Sequence, residues 1–319
     1  MSKLSLVIIL AAGDSTRMKS SQSKVLHKIA GRSLIENLLA SVDSLSPENL
    51  TVVVGAKKEE VIDHLSEIAP KAKTVVQEKR DGTGSAARLA LDNHKGDGTV
   101  LILAGDTPLL TKQTLQEFLV AHKGDGNKAS VLTAQLPDPT GYGRIIRGEQ
   151  GEISKIVEEK DTTADEKDID EVNTGVYLFD ISVLRKVIGD LKSNNAQKEL
   201  YLTDAIALIN QMGEKSFAIL SNDYTETLGI NDRTQLAEAA AIMRDRINHE
   251  HMQNGVTIID PTTTWIDAQV KIEADAIIYP GSAITGDSHI KANAIIGPRT
   301  TLDSCVVEEG ATVVESNCT

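Results

Sequence analysis

The chain has 319 residues, 40% of them apolar and 25% charged, the balance of a globular protein long enough to bury a sizeable core. Aromatic residues are only 3% and the formal charge is −13, which argues against a single-strand binder built on stacking platforms and against a nucleic-acid partner generally. The two cysteines, Cys305 and Cys318, lack metal-site spacing and make no disulfide framework, so a cytoplasmic protein is expected.

Residues 4–12, with Lys3 ahead of them, have the outline of a signal peptide, but the run is too short to span a bilayer. It leads straight into Gly13-Asp14-Ser15-Thr16-Arg17, which reads as a strand followed by a functional turn, and no integral membrane segment is expected. Runs of strand length follow at residues 51–54, 74–76 and 99–103, each β-branched or aliphatic. Between them lie helical patterns: Leu34, Ile35, Leu38, Leu39 and Val42, opened by Ser33 with Glu36 three residues on, and then Val61, Ile62 and Leu65. Alternating strands and helices with near-continuous apolar strands predict an α/β fold, a Rossmann-like mostly parallel sheet covered on both faces. Past Ser130 the order loosens, with strands expected at 130–135, 153–157 and 174–179 and helices near 182–191 and 203–212. A long helix over about 232–253 is expected to end at Gly255.

After Gly255 a different period takes over. Ile266, Ile272, Ile278, Ile284, Ile290, Ile296 and Leu302 recur every six residues, each preceded two positions earlier by a mostly small residue. Neither an α-helix nor a flat sheet has that period, whereas a hexapeptide β-helix turns each hexad into one face of a triangular coil. The spacing then slips, to Val307 and Val313. These patterns divide the chain into an α/β segment 1–231, a linker helix 232–255 and a short left-handed parallel β-helix 256–319.

In an open α/β sheet, ligands bind at the carboxyl ends of the strands. Leu10, Ala11, Ala12 and Gly13 lie there, small enough for main-chain N–H groups to approach a base and phosphates, with Arg17 and Lys24 supplying cationic donors. A solvated loop with ordinary surface cations satisfies the same text. Gly105-Asp106-Thr107-Pro108 follows the most apolar strand; a lone carboxylate there suits Mg²⁺, although an aspartate capping the turn before Pro108 fits as well. Gly82-Thr83-Gly84-Ser85-Ala86-Ala87 resembles a dinucleotide motif, but residues 77–81 separate it from its strand, so it reads as a contact to a nucleotide base instead. The seven histidines show no metal spacing.

Together these segments resemble the bacterial N-acetylglucosamine-1-phosphate uridylyltransferases, the GlmU family, over essentially the whole chain. The matches include LAAGDSTRM at 10–18, SKVLH at 23–27, GTG at 82–84, GDTPL at 105–109, DPTGYGR at 138–144, EVNTG at 171–175, YLTD at 201–204 and GIN at 229–231. The resemblance implies UTP and N-acetylglucosamine 1-phosphate as partners and Mg²⁺ as cofactor. By that resemblance Leu10, Ala11, Ala12, Gly13, Gln77, Gly82, Thr83 and Gly105 border the uridine nucleotide, and Arg17 and Lys24 are catalytic, binding the triphosphate and stabilising charge as pyrophosphate leaves. Asp106 and Asn231 hold the metal, with Asn231 also beside substrate; Gly143, Glu158 and Asn173 hold the amino sugar. It further implies a homotrimer assembled through the β-helix. Three positions depart from the family: Ser15 stands for a glycine, Ser23 for a proline, and Ala104 for a tyrosine found in some members. Family members also transfer an acetyl group from acetyl-CoA to glucosamine 1-phosphate; those catalytic positions fall beyond Thr319, and this chain is expected to lack that turnover. The rival readings are a glucose-1-phosphate nucleotidyltransferase and a non-catalytic regulatory subunit on the same fold.

Overall fold

The computed structural model describes residues 4–13, 16–55, 57–124, 126–149 and 151–319; Asp14 and Ser15 of the first turn lie outside the described residues. The chain divides into two units, Met1–Leu26 with Leu34–Asn231, and His27–Ser33 with Asp232–Thr319. The opening elements are β1 (Leu4–Ala11), a hairpin of β2 (Lys28–Ile29) and β3 (Arg32–Ser33), and α1 (Leu34–Asp43). Alternation follows, through β4 (Leu50–Val54), α2 (Lys58–Ile68), β5 (Lys73–Val76), α3 (Thr83–Asp92), β6 (Thr99–Ala104) and α4 (Lys112–Gly124). Next come β7 (Ala129–Gln135), β8 (Arg144–Arg147), β9 (Ile153–Val157), α5 (Ala164–Lys167) and β10 (Glu171–Asp180). Then follow α6 (Ile181–Val187), α7 (Asp204–Gln211), β11 (Ser216–Leu220) and α8 (Arg233–Gln253).

In the first unit the main path of the sheet is ordered β11-β7-β10-β6-β1-β4-β5. β1 is parallel to β4 and β6, β4 to β5, and β11 to β7, while β10 runs antiparallel to both neighbours. The apolar text of β1 is continuous because both of its faces are covered. Alternate side chains point to opposite faces: Leu6 and Ile8 join one cluster with Ala87, Leu91 and Ile206, whereas Val7 and Ile9 join another with Leu38, Leu65 and Phe118. Helices α3, α6 and α7 thus cover one face and α1, α2 and α4 the other, leaving the strand ends for a ligand.

The second unit holds the hairpin, α8 and the coils. Short parallel strands stack in three columns, the arrangement of the left-handed β-helix that the hexad spacing predicts. Ile278, Ile284, Ile290 and Ile296 are fully buried at its centre. The residue two positions earlier is small because it packs inside a corner, and where it is polar its hydroxyl closes that corner: Ser282 Oγ donates to the Tyr279 carbonyl at 2.8 Å and Ser288 Oγ to the Thr285 carbonyl at 2.6 Å. The slip in spacing is a shortening at the corners. Val307 still pairs with Ile290 and Cys318 with Leu302, the left-handed residues Ser304 (φ 56°) and Glu315 (φ 46°) making the tighter turns. Helix α8 packs on the same unit through Asn248, which donates to the carbonyls of Pro261 and Thr264, and through Arg244, whose guanidinium lies 5.0 Å from the Trp265 ring centre. The hairpin joins this unit through the Ala268 N–H donating to the Ala30 carbonyl.

Candidate active site

A cavity of about 660 Å³ opens in the first unit where β1, β5 and β6 end. Its size is that of a small-molecule site. Leu10, Ala11, Ala12, Gly13, Arg17 and Lys24 line it from the first segment, Gln77, Gly82 and Thr83 from the second, and Asp106 from the third. Gly143, Glu158, Asn173 and Asn231 line it from the later loops. Of the site residues that the resemblance implies, Gly105 alone is not on the wall. Its N–H donates to the Leu10 carbonyl at 2.9 Å and it packs against Ala11, so it shapes the end of β1 from behind.

The cationic end is built from distant parts of the chain. Lys24 is buried in a short 3₁₀ turn and its ammonium donates to the carboxylate of Asp106 and, at 3.0 Å, to Asn231 Oδ1. Asn231 is brought there by main chain: the Ile230 N–H donates to the Asp106 carbonyl at 2.9 Å. The loop before Lys24 is tied to α2, since the Ser23 N–H donates to Glu60 Oε1 at 2.6 Å and Lys57 donates to the carbonyls of Ser20 and Gln22. A proline at position 23 would have no N–H for Glu60. Two oxygen donors therefore already converge on one cation, the donor set that suits a hard divalent ion.

The second wall depends on glycines and on a tight loop. Gly82 has φ 108°, and its carbonyl and the Asp81 carboxylate both accept from Gln77 Nε2. Thr83 opens α3, and its hydroxyl accepts the Leu202 N–H at 3.0 Å. At the far side β10 carries a bulge between Asn173 and Val176, with Gly175 at φ 78°. The bulge turns the chain locally, and the Asn173 amide donates to Tyr177 Oη at 2.7 Å. A Cβ on Gly143 would lie 3.3 Å from Glu158 Oε2, so the absence of a side chain there keeps that carboxyl open to the cavity.

Burial raises the Glu158 carboxyl above the usual carboxylate range, and the hydrogen bond from Thr203 only partly opposes it. Because the folded value lies above the unfolded one, the unfolded chain ionises first as pH rises, and stability falls between the two values. Glu158→Gln removes that fall. Its melting temperature should match that of the wild type near pH 4 and exceed it near pH 8; equal differences at both pH values, read by scanning calorimetry, would refute the burial cost. Tyr177 is likewise raised, by burial and then by Glu158, so its hydroxyl stays protonated.

Sequence reasoning missed Arg80, Tyr142, Tyr177, Glu199, Thr227 and Gly229, which also line the cavity. Tyr142 and Gly229 stand within matched segments, at 138–144 and 229–231; Thr227 lies just ahead of the second, and that adjacency was the available signal.

Residues 7–158 match the family described as MobA-like NTP transferase domain. The chain is 45% identical over 310 residues to the "Bifunctional protein GlmU" of Streptomyces coelicolor, covering 96% of this chain and 64% of that protein. It is 43% identical over 318 residues to the protein of the same name from Corynebacterium diphtheriae, covering 98% and 66%. The Thermoanaerobacter pseudethanolicus relative, of the same name again, is 45% identical over 311 residues, covering 97% and 67%. The chain thus spans roughly two thirds of the length of these curated relatives.

Proposed function

The chain belongs to the family of the bifunctional GlmU proteins, and we propose that it transfers UMP from UTP to N-acetylglucosamine 1-phosphate, releasing pyrophosphate. The observation that carries the reading is the convergence of Lys24, Asp106 and Asn231 at one end of a cavity whose other walls are main chain, amide and carboxyl. Ala11, Ala12 and Gly13 present small-residue backbone to the nucleotide, and Gln77, Gly82 and Thr83 border the base. Glu158, Gly143 and Asn173 receive the amino sugar, whose hydroxyls and amide match an acceptor and an amide pair.

The chemistry asked of these side chains is modest. An oxygen of the sugar phosphate attacks the α-phosphorus of UTP in line and pyrophosphate leaves. The attacking phosphate is already ionised near neutral pH, so no general base is required. Arg17 and Lys24 neutralise the charge that builds on the departing pyrophosphate, while the walls hold attacker and target in line. Asp106 and Asn231 would hold Mg²⁺, which supplies charge neutralisation across the triphosphate. The reading extends to a cytoplasmic homotrimer assembled through the coils; among the described residues no helix is long and apolar enough to cross a membrane.

The deciding experiment is pyrophosphate release from UTP and Mg²⁺ with a panel of sugar 1-phosphates. Release with N-acetylglucosamine 1-phosphate in clear preference to glucose 1-phosphate supports the reading. Release only with another sugar keeps the mechanism and changes the substrate; none with any sugar favours a non-catalytic regulatory subunit.

A further inference from the structure

Arg144, in β8 opposite Val172 of β10 and Val157 of β9, is among the largest fully buried side chains in the protein, 2% exposed. Burying a guanidinium costs free energy unless its donors are met and its charge is paired. Here Nε has no partner among the described residues, and the pairing runs through the two Nη groups. Arg144 Nη1 donates to the Tyr142 carbonyl and forms an ion pair with Glu159 Oε2 at 2.8 Å, and Nη2 reaches the Lys167 carbonyl at 3.5 Å. The same Glu159 oxygen accepts the Gly141 N–H at 3.2 Å. On the other side of the loop the Asn173 N–H donates to the Gly143 carbonyl at 2.8 Å. Gly141, Tyr142 and Gly143 line the cavity, whereas Arg144 is not on its wall.

We propose that Arg144, through its pair with Glu159, is a positioning residue that fixes the 141–143 loop as the sugar-phosphate wall of the cavity. It acts without touching substrate. The nucleotide wall, at 10–13, 77 and 82–83, is built on β1, on the end of β5 and at the start of α3, none of which Arg144 contacts through a hydrogen bond or ion pair. Loosening the loop should therefore separate the two substrates. The proposal rests on the transfer reading only in naming which substrate occupies this side.

Arg144→Met is expected to raise KM for the sugar 1-phosphate by about tenfold or more, the scale at which misplacement of a binding wall is felt, with KM for UTP nearly unchanged. Arg144→Lys, which keeps the charge and part of the donor set, should fall between. If Arg144→Met fails to fold, Glu159→Gln takes its place: it keeps an acceptor for Gly141 but weakens the pair, and should give a smaller shift in the same direction. Calorimetry of sugar-phosphate binding in the presence of a non-reactive UTP analogue reads the same effect without turnover, so failure of the transfer reaction is distinguishable from failure here. Equal losses for both ligands, or none for either, would overturn the proposal.

Discussion

Asp106→Ala is expected to lower pyrophosphate release by about a thousandfold, the scale of losing a preorganised charge partner at a phosphoryl-transfer centre. The carboxylate follows the buried strand β6 and holds the Lys24 ammonium together with Asn231. On the proposed reading, removing it deletes a seat for a divalent ion and releases the lysine assigned to neutralise the leaving group. Asp106→Asn keeps the shape and one oxygen, so its residual rate separates charge from placement. The measurement is turnover against Mg²⁺ concentration for wild type and both variants. A loss of less than tenfold in Asp106→Ala would remove this cluster from the reaction.

Gly82→Ala should have the largest effect on stability, about 3 kcal/mol, from an L side chain forced to φ 108° with no room for it. A Cβ there would lie 2.3 Å from the Leu200 carbonyl oxygen and 2.7 Å from its nitrogen. Neither atom can retreat cheaply: the Leu200 N–H donates to the Asp81 carbonyl at 2.7 Å and its carbonyl accepts the Gly84 N–H at 2.8 Å. The variant should melt several degrees lower and bind UTP more weakly, since Gln77 holds the Gly82 carbonyl. Gly13→Ala is the control for stability, because nothing lies within 4 Å of its would-be Cβ. Equal melting temperatures for the two variants would show that the Gly82 turn relaxes.

How much of this was legible in the text depended on whether the signal was local. β1 and β6 were readable because strands buried on both faces must be continuously apolar, and the hexads because an inward aliphatic recurs at every face of a coil. Asp106 was readable as a carboxylate at a strand end. Helix α3 was hidden, because its opening Thr83-Gly84-Ser85-Ala86-Ala87 carries almost no hydrophobic period. The antiparallel insertion of β10 between β6 and β7 was invisible, since strand order is set by pairing partners and not by the strand's own residues. Arg144 reads as a surface cation until Glu159 and two carbonyls are seen to enclose it. The placement of β2 and β3 with the second unit hangs on the main-chain bond from Ala268 to Ala30 and on contacts that no period announces.

The corners of the coil unit have a consequence for how such a segment can change. From Ile258 to Ile266 the step between inward aliphatics is eight residues, from Ile266 to Leu302 it is six, and from Leu302 to Val307 it is five. Through all of these the inward column is kept, Ile278 beneath Ile296 and Ile290 beneath Val307. An inserted or deleted residue in a flat sheet flips every side chain that follows to the wrong face. In this unit the difference is taken up at the corner before the next face begins, by the left-handed Ser304 in the five-residue step. The segment is therefore punctuated, not metered: a peptide tag or reporter loop inserted at Ser304 would be confined to its corner, while the same insertion within Ala283–Thr285 would break the column.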